Sequence, residues 1–236
     1  NEYFKNKLEL LNNTDDDIKT IGILLMIDSL AQSYKGYPTR EFKSAFSEFV
    51  IRFTNDKWRF WELVDPVTLY YRLESSNMSL SHSPVLRCVY QAHIHFPDSD
   101  GFQENADELL DIIEDERERQ KMKREHQYIA LLYKLRSKLV HEGNKPYLLF
   151  SRTPIENNGQ LPFYYSVGGD NDKETPYDVK IATQVTTWHL VFPPEFLELV
   201  FKECSHNYLL YCKEKNLDPF ASNDNRRNFR LTWYDE

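Results

Sequence analysis

The sequence predicts a mainly α protein: a helical bundle followed by a C-terminal extension with a few short strands and one long helix. Three observations carry that reading. Seven glycines in 236 residues fall well under the usual share of about 7%, which disfavours an all-β chain with many tight turns. Apolar residues recur at helical 3-4 spacing through much of residues 15–141. After Pro146 the pattern changes to short extended runs separated by Asn, Gly and Asp.

The elements follow in order. Thr14-Asp15-Asp16-Asp17 supplies an N-cap and an acidic first turn, and Gly36 a stop, so a helix is predicted over 15–35. Its apolar face takes Ile18, Ile21, Leu24, Leu25, Ile27 and Ala31, and Asp28 falls between Ile21 and Leu24 on that wheel. A carboxylate inside an apolar arc must find a partner or shift its pKa. Phe42, Ala45, Phe46, Phe49, Val50 and Phe53 predict a second helix over 39–53. Trp58, Phe60 and Trp61 lead to Asp65-Pro66, a helix start with Pro at its first position, and PVTLYYRL predicts a short helix over 66–73. Residues 75–104 carry Ser, Asn, His and Pro around an apolar patch at 85–89, and no element is assigned there.

Residues 105–141 read as one helical stretch. Asn105-Ala106-Asp107-Glu108 opens it, and the charged middle from Asp111 to Arg124 puts acids first and bases last, as a solvated helix face would. Tyr128, Leu132, Leu135 and Leu139 form the apolar stripe, Gly143 the stop, and Pro146 forbids continuation. Beyond it, 147–151, 162–167 and 186–192 are predicted extended, with turn chemistry at Asn157-Asn158-Gly159 and over 168–172. Pro193-Pro194-Glu195 opens a helix to about Lys215 with a stripe of Leu197, Val200, Phe201, Cys204, Tyr208 and Tyr211, and Phe229–Tyr234 is a candidate last strand. The organisation predicted is a bundle over 1–146 with an α+β extension over 147–236 packed on it.

Composition narrows the function. A net charge of −8 excludes a broad basic surface but leaves room for a small local nucleic-acid site. Three cysteines form no complete disulfide framework, which suggests a reducing, cytoplasmic setting. No run of about 18 apolar residues is present, so no membrane span is expected, and no signal peptide is visible. A chain opening at Asn1 reads as trimmed or as a piece of something longer. Fifteen Tyr, fifteen Phe and four Trp suit large cores and sticky interfaces, and a homodimer is expected. No P-loop, dinucleotide fingerprint or nucleophile elbow occurs. His82, Cys88, His93 and His95 are zinc-ligand types, but their spacing matches no standard module, so no metal site is assigned. His189 and His206 read as packing or rim residues.

The segment Tyr133-Lys134-Leu135-Arg136-Ser137-Lys138-Leu139-Val140-His141-Glu142-Gly143 stands out. An Arg, four residues and a His close an amphipathic helix that stops at Gly. This resembles the R-x4–6-H motif of the HEPN superfamily, especially the HEPN domains of bacterial phage-defence and toxin proteins. The resemblance covers residues 10–146 or so and implies a small α-helical bundle and a dimer in which motifs from two protomers meet in a cleft; no cofactor is expected. Many catalytic members carry Asn, Asp or His straight after the Arg; this chain carries Ser137.

The residues support a chemistry of their own. His titrates near neutrality and moves protons, and Arg stays charged and binds phosphate oxygens. Side chains five apart on a straight helix lie about 140° apart, so Arg136 and His141 converge only through a long Arg reaching round to the last turn, or through a second subunit. Arg136 and His141 are the candidate catalytic pair, Ser137, Lys138 and Lys134 the candidate substrate-binding residues, and Asp28 and Glu142 candidate supports. For Asp28 two roles stay open: pairing with Arg136 or orienting His141, or accepting hydrogen bonds from a buried Tyr, Trp or Ser. The expected function is a metal-independent endoribonuclease acting through the RNA 2′-OH, with an antitoxin or defence-complex partner. The alternative is a non-catalytic HEPN-like dimerisation, nucleotide-binding or scaffold module.

Overall fold

The computed structural model describes residues 2–36, 42–54, 60–76, 100–142, 149–150, 162–167 and 187–220. They form eight α-helices and three short strands in the order α1 (Glu2–Leu11), α2 (Asp16–Lys35), α3 (Phe42–Phe53), α4 (Pro66–Glu74), α5 (Asp100–Asp111), α6 (Glu116–Glu125), α7 (Tyr128–Glu142), β1 (Leu149–Phe150), β2 (Phe163–Val167), β3 (Thr187–Val191) and α8 (Pro194–Lys215). The chain is mainly α among these residues. The zinc-type residues His82 to His95, the turns at 157–159 and 168–172 and the strand expected at 229–234 lie outside them.

Helix α2 starts where its cap dictates. The Asp15 carboxylate accepts the backbone N–H groups of Asp17 and Ile18, both at 3.0 Å. It ends at Gly36, whose φ of 83° suits a residue without Cβ. Helices α1, α3, α7 and α8 all pack on it. A helix covered on several sides has no single apolar arc, and the arc expected from the wheel is corrected accordingly. Ile18 and Leu25 are 50% and 42% exposed, whereas Ile23 and Leu30, outside that arc, are buried.

The stretch expected as one helix over 105–141 is three helices. The first break falls at 113–115. There Asp115 caps α6 by accepting the Glu118 N–H at 2.8 Å, and the Arg119 guanidinium holds the Ile113 carbonyl at 2.8 and 3.0 Å. The second falls at 126–127, where the backbone leaves the helix to pair with 63–65. Asp65 N–H donates to the His126 carbonyl at 2.8 Å, Tyr128 N–H donates to the Leu63 carbonyl at 3.1 Å, and Val64 and Gln127 form a bridge. A tertiary backbone pairing overrides the local helical pattern. Replacing Asp115 by Ala should cost about 1 kcal/mol, the usual worth of a cap, with hydrogen exchange at 116–119 as the readout; exchange unchanged there would show that the cap does not hold α6.

The strands order β1-β3-β2, with β1 parallel and β2 antiparallel to β3 in the register Tyr164↔Leu190. Helix α8 leaves β3 directly and lies against α2 and α3. One hydrophobic core joins residues of α1 to α8 with Tyr164 and Leu190 of the sheet. Aromatic side chains dominate it: Tyr34, Phe49, Phe53 and Tyr208 meet edge to face or tilted, and Phe60, Trp61 and Phe196 form a second cluster. Those rings, offered above as material for a subunit interface, serve the interior of this one chain.

Candidate functional site

Helix α7 carries the candidate motif on its C-terminal half, and the predicted stripe holds it in place: Tyr128, Leu132, Leu135 and Leu139 are all buried. Arg136 is also buried, 7% exposed, while His141 in the last turn is exposed. The long Arg side chain spans the angle between them, and its Nη1 lies 2.9 Å from His141 Nε2. Arg has only donors, so Nε2 is the acceptor in this contact. The pair forms within one chain; the second subunit implied by the resemblance is not needed to bring them together.

The other end of the guanidinium is anchored across the bundle. Arg136 Nη2 donates to Asp28 Oδ2 at 2.5 Å. Asp28 is 8% exposed and sits on the central helix α2. Of the two roles left open for it, the described residues show the pairing with Arg136, and no Tyr, Trp or Ser among them bonds it. The Arg136 guanidinium also lies 5.9 Å from the Tyr133 ring centroid, a cation–π distance. Burial raises the Tyr133 phenol pKa, and the Arg136 charge pulls it back. Asp28 Oδ1 and Arg136 Nε remain buried without a hydrogen-bond partner among the described residues.

The remaining candidates divide. Ser137 is half-buried and its hydroxyl makes no hydrogen bond among the described residues. Lys138 donates to Glu142 at 2.6 Å, so these two neutralise each other at the surface. Lys134 is exposed, and its ammonium is held below the usual lysine range by partial burial first and by the nearby Arg72 charge second. Seven residues on a helix return to within about 20°, so Lys134 lies on the His141 side of α7. Among the described residues no group of three or more His, Cys, Asp or Glu could hold a metal ion. His189 is buried and His206 exposed.

Two features escaped the sequence. Gln32 is buried, with neither amide atom hydrogen-bonded among the described residues. It stands four residues after Asp28 on α2, and that i,i+4 spacing on a face already marked by a carboxylate was the available signal. The second is a buried cluster around Asp65. Oδ2 accepts the Thr68 N–H at 2.9 Å, capping α4, and Oδ1 accepts the hydroxyl of Tyr164 in a very short contact and that of Tyr128 at 3.4 Å. The two hydroxyls lie 2.8 Å apart. Burial pushes the Asp65 carboxyl above the usual carboxylate range, against the pull of Thr68 and Tyr164. It pushes both phenols well above theirs, with the Asp65 charge next in order. Nearby His126 binds the Met122 carbonyl through Nδ1 at 2.8 Å, and burial holds its pKa below the usual histidine value.

Comparisons of the chain with protein-family models, with curated proteins and with solved structures return no match.

Proposed function

We propose that the chain is a metal-independent endoribonuclease of the HEPN type, a toxic effector of defence or toxin–antitoxin biology. The observation that carries this reading is one guanidinium joined at 2.5 Å to a buried carboxylate and at 2.9 Å to an exposed imidazole. Asp28 orients Arg136, Arg136 presents a fixed positive charge, and His141 faces solvent where a substrate reaches it. The likeness of residues 133–143 to toxin and defence HEPN motifs supports the biological setting, a homodimer and an antitoxin or defence-complex partner.

The chemistry runs as a transesterification. A bound phosphate takes the Arg136 Nη1 hydrogen bond, which frees the Nε2 lone pair of His141. Nε2 then removes the proton of the ribose 2′-OH. The 2′-oxygen bonds to phosphorus, the bond from phosphorus to the 5′-oxygen breaks, and that oxygen takes a proton from water. His141 returns its proton to solvent, leaving a 2′,3′-cyclic phosphate and a 5′-hydroxyl. Arg136 stabilises the charge that builds on the phosphoryl oxygens. The reading calls for no metal or cofactor, because the pair itself supplies charge and proton transfer. The 2′-OH requirement selects RNA over DNA.

The test is cleavage of single-stranded RNA and tRNA in EDTA. His141→Ala, at an exposed position, is expected to fold normally and to lower the rate by about 10²–10⁴-fold. Arg136→Lys keeps a charge for Asp28 but loses the second nitrogen, and a similar loss is expected. His206→Ala, on α8, retains activity. Wild-type inactivity, or cleavage equal in all four proteins, would sink the assignment. The second reading, a non-catalytic HEPN-like module, draws on the burial of Arg136 and the hold of Asp28 and His141 on its two Nη atoms; it expects folding defects in Arg136 variants and no cleavage in any of them.

A further inference from the structure

We propose that the groove between α3, α6 and the first turns of α7 is the track that holds single-stranded RNA beside the Arg136–His141 site; the assignment of the bound strand as substrate rests on the nuclease reading above. The groove encloses about 720 Å³. Three cations line it, Lys43 from α3 and Lys121 and Arg124 from α6, against one carboxylate, Glu125. In a chain of net charge −8 that local excess is the reverse of the whole, and it favours a polyanion. Lys43 and Arg124 have no ion-pair partner among the described residues, and Lys121 reaches only Glu118, at 3.5 Å on the surface.

Apart from its charged groups the lining is largely apolar: Phe42, Ile51, Ile129, Ala130 and Tyr133. Phe42 lines the groove while 44% exposed, an aromatic ring open to solvent at the head of α3. Cations along a groove with an exposed ring among them are the two features that hold unpaired nucleotides, through phosphate contacts and base stacking. The groove also joins the candidate site. Tyr133 is its wall on α7 and is the same ring that faces the Arg136 guanidinium. At 1.5 Å rise per residue, Ile129 in the groove stands only about 10 Å along α7 from Arg136. A strand lying in the groove therefore runs towards the end of α7 that carries Arg136 and the exposed His141.

The test uses the His141→Ala variant of the 236-residue chain, which separates binding from cutting, and a fluorescein-labelled oligouridine of about twelve nucleotides, within the usual range for such sites. Anisotropy titrations from about 50 to 200 mM salt give the slope of log K against log salt. Adding Lys43→Ala and Arg124→Ala is expected to reduce that slope by about 1.4, at about 0.7 per lost phosphate contact. Adding Phe42→Ala instead should weaken binding about tenfold and leave the slope unchanged. All these positions are at the surface of the groove, and matched thermal melts check that the variants fold. Binding indifferent to both sets of changes overturns the groove, and if the wild type still cleaves RNA the nuclease reading survives without it. Groove-dependent binding with no cleavage by the wild type supports the groove and removes the nuclease. A groove that ignores the oligonucleotide but binds an acidic amphipathic helical peptide overturns the RNA assignment in favour of a protein occupant.

Discussion

Replacing Asp28 by alanine should destabilise the protein by about 3–5 kcal/mol, the usual consequence of removing one partner of a buried ion pair. The side chains of Asp28 and Arg136 are 11% and 8% exposed, so neither charge has water to fall back on. Arg136 cannot shed its charge, since a guanidinium stays protonated. Its Nε already lacks a partner among the described residues, and the exposed His141 offers a ring nitrogen in place of a carboxylate. The double change Asp28→Leu with Arg136→Met is the informative contrast. It removes both charges and fills the space with apolar atoms, and the expected stability is close to that of the wild type or above it. Urea midpoints at unchanged slope measure both. A single Asp28→Ala variant within about 1 kcal/mol of the wild type would mean that the pair is solvated and that the anchoring role given to Asp28 is wrong. The double variant also separates position from fold: a stable protein without the Arg136 charge should not cleave RNA.

How much of this was legible in the sequence depended on the range of the interaction. Asp15, Gly36, Asp65-Pro66 and Pro193-Pro194 act on neighbours a few residues away, and each helix they bound begins or ends within a residue or so of the expected place. The α7 stripe reads correctly because one side of that helix faces the core. Helix α2 misleads because several helices surround it, so exposure follows the gaps between neighbours and not a wheel. The breaks at 113–115 and 126–127 depend on partners elsewhere, above all the pairing of 126–128 with 63–65. The site shows the same division. Arg136 and His141 are visible as a local motif, and Asp28 is visible as a misplaced carboxylate. Their union spans 108 positions, and periodicity contains no term for that. Gln32 and the Asp65 cluster were hidden because glutamine reads as surface and Tyr128 reads as one more member of an apolar stripe. Tyr164 reads as strand.

The Asp65 cluster yields the other large effect, and its size depends on pH. Asp65→Ala removes the α4 cap, about 0.5–2 kcal/mol, and leaves the buried Tyr164 hydroxyl without this acceptor, about 1–3 kcal/mol. Loss of a few kcal/mol is expected near neutral pH. Asp65→Asn separates the charge from the shape, because the amide oxygen still accepts the Thr68 N–H. Burial raises the folded-state pKa of Asp65, so between its ordinary value of about 3.9 and the raised one the folded state holds a proton that the unfolded state has released. Stability from this group is then fully present below about pH 3.9 and falls as pH rises through the folded value. The Asn variant, which has no proton to lose, should therefore gain on the wild type as pH rises from about 4, with a flat difference below that. His126 works in the opposite direction. Its folded-state pKa is lowered by burial, so charging it costs stability as pH falls below about 6.5. That slope is present in both proteins and deepens in the Asn variant, which lacks the Asp65 charge that favours the imidazolium. Comparing urea midpoints of the two proteins at the same pH values exposes the Asp65 contribution. A difference curve that is flat from about pH 4 to 8, or that falls as pH rises, would show that Asp65 titrates as an ordinary carboxylate and that its tyrosine partners hold it charged. Tyr164→Phe then supplies the independent check: by removing one donor to Oδ1 it should shift the wild-type slope towards higher pH, because a carboxylate with fewer hydrogen bonds keeps its proton longer.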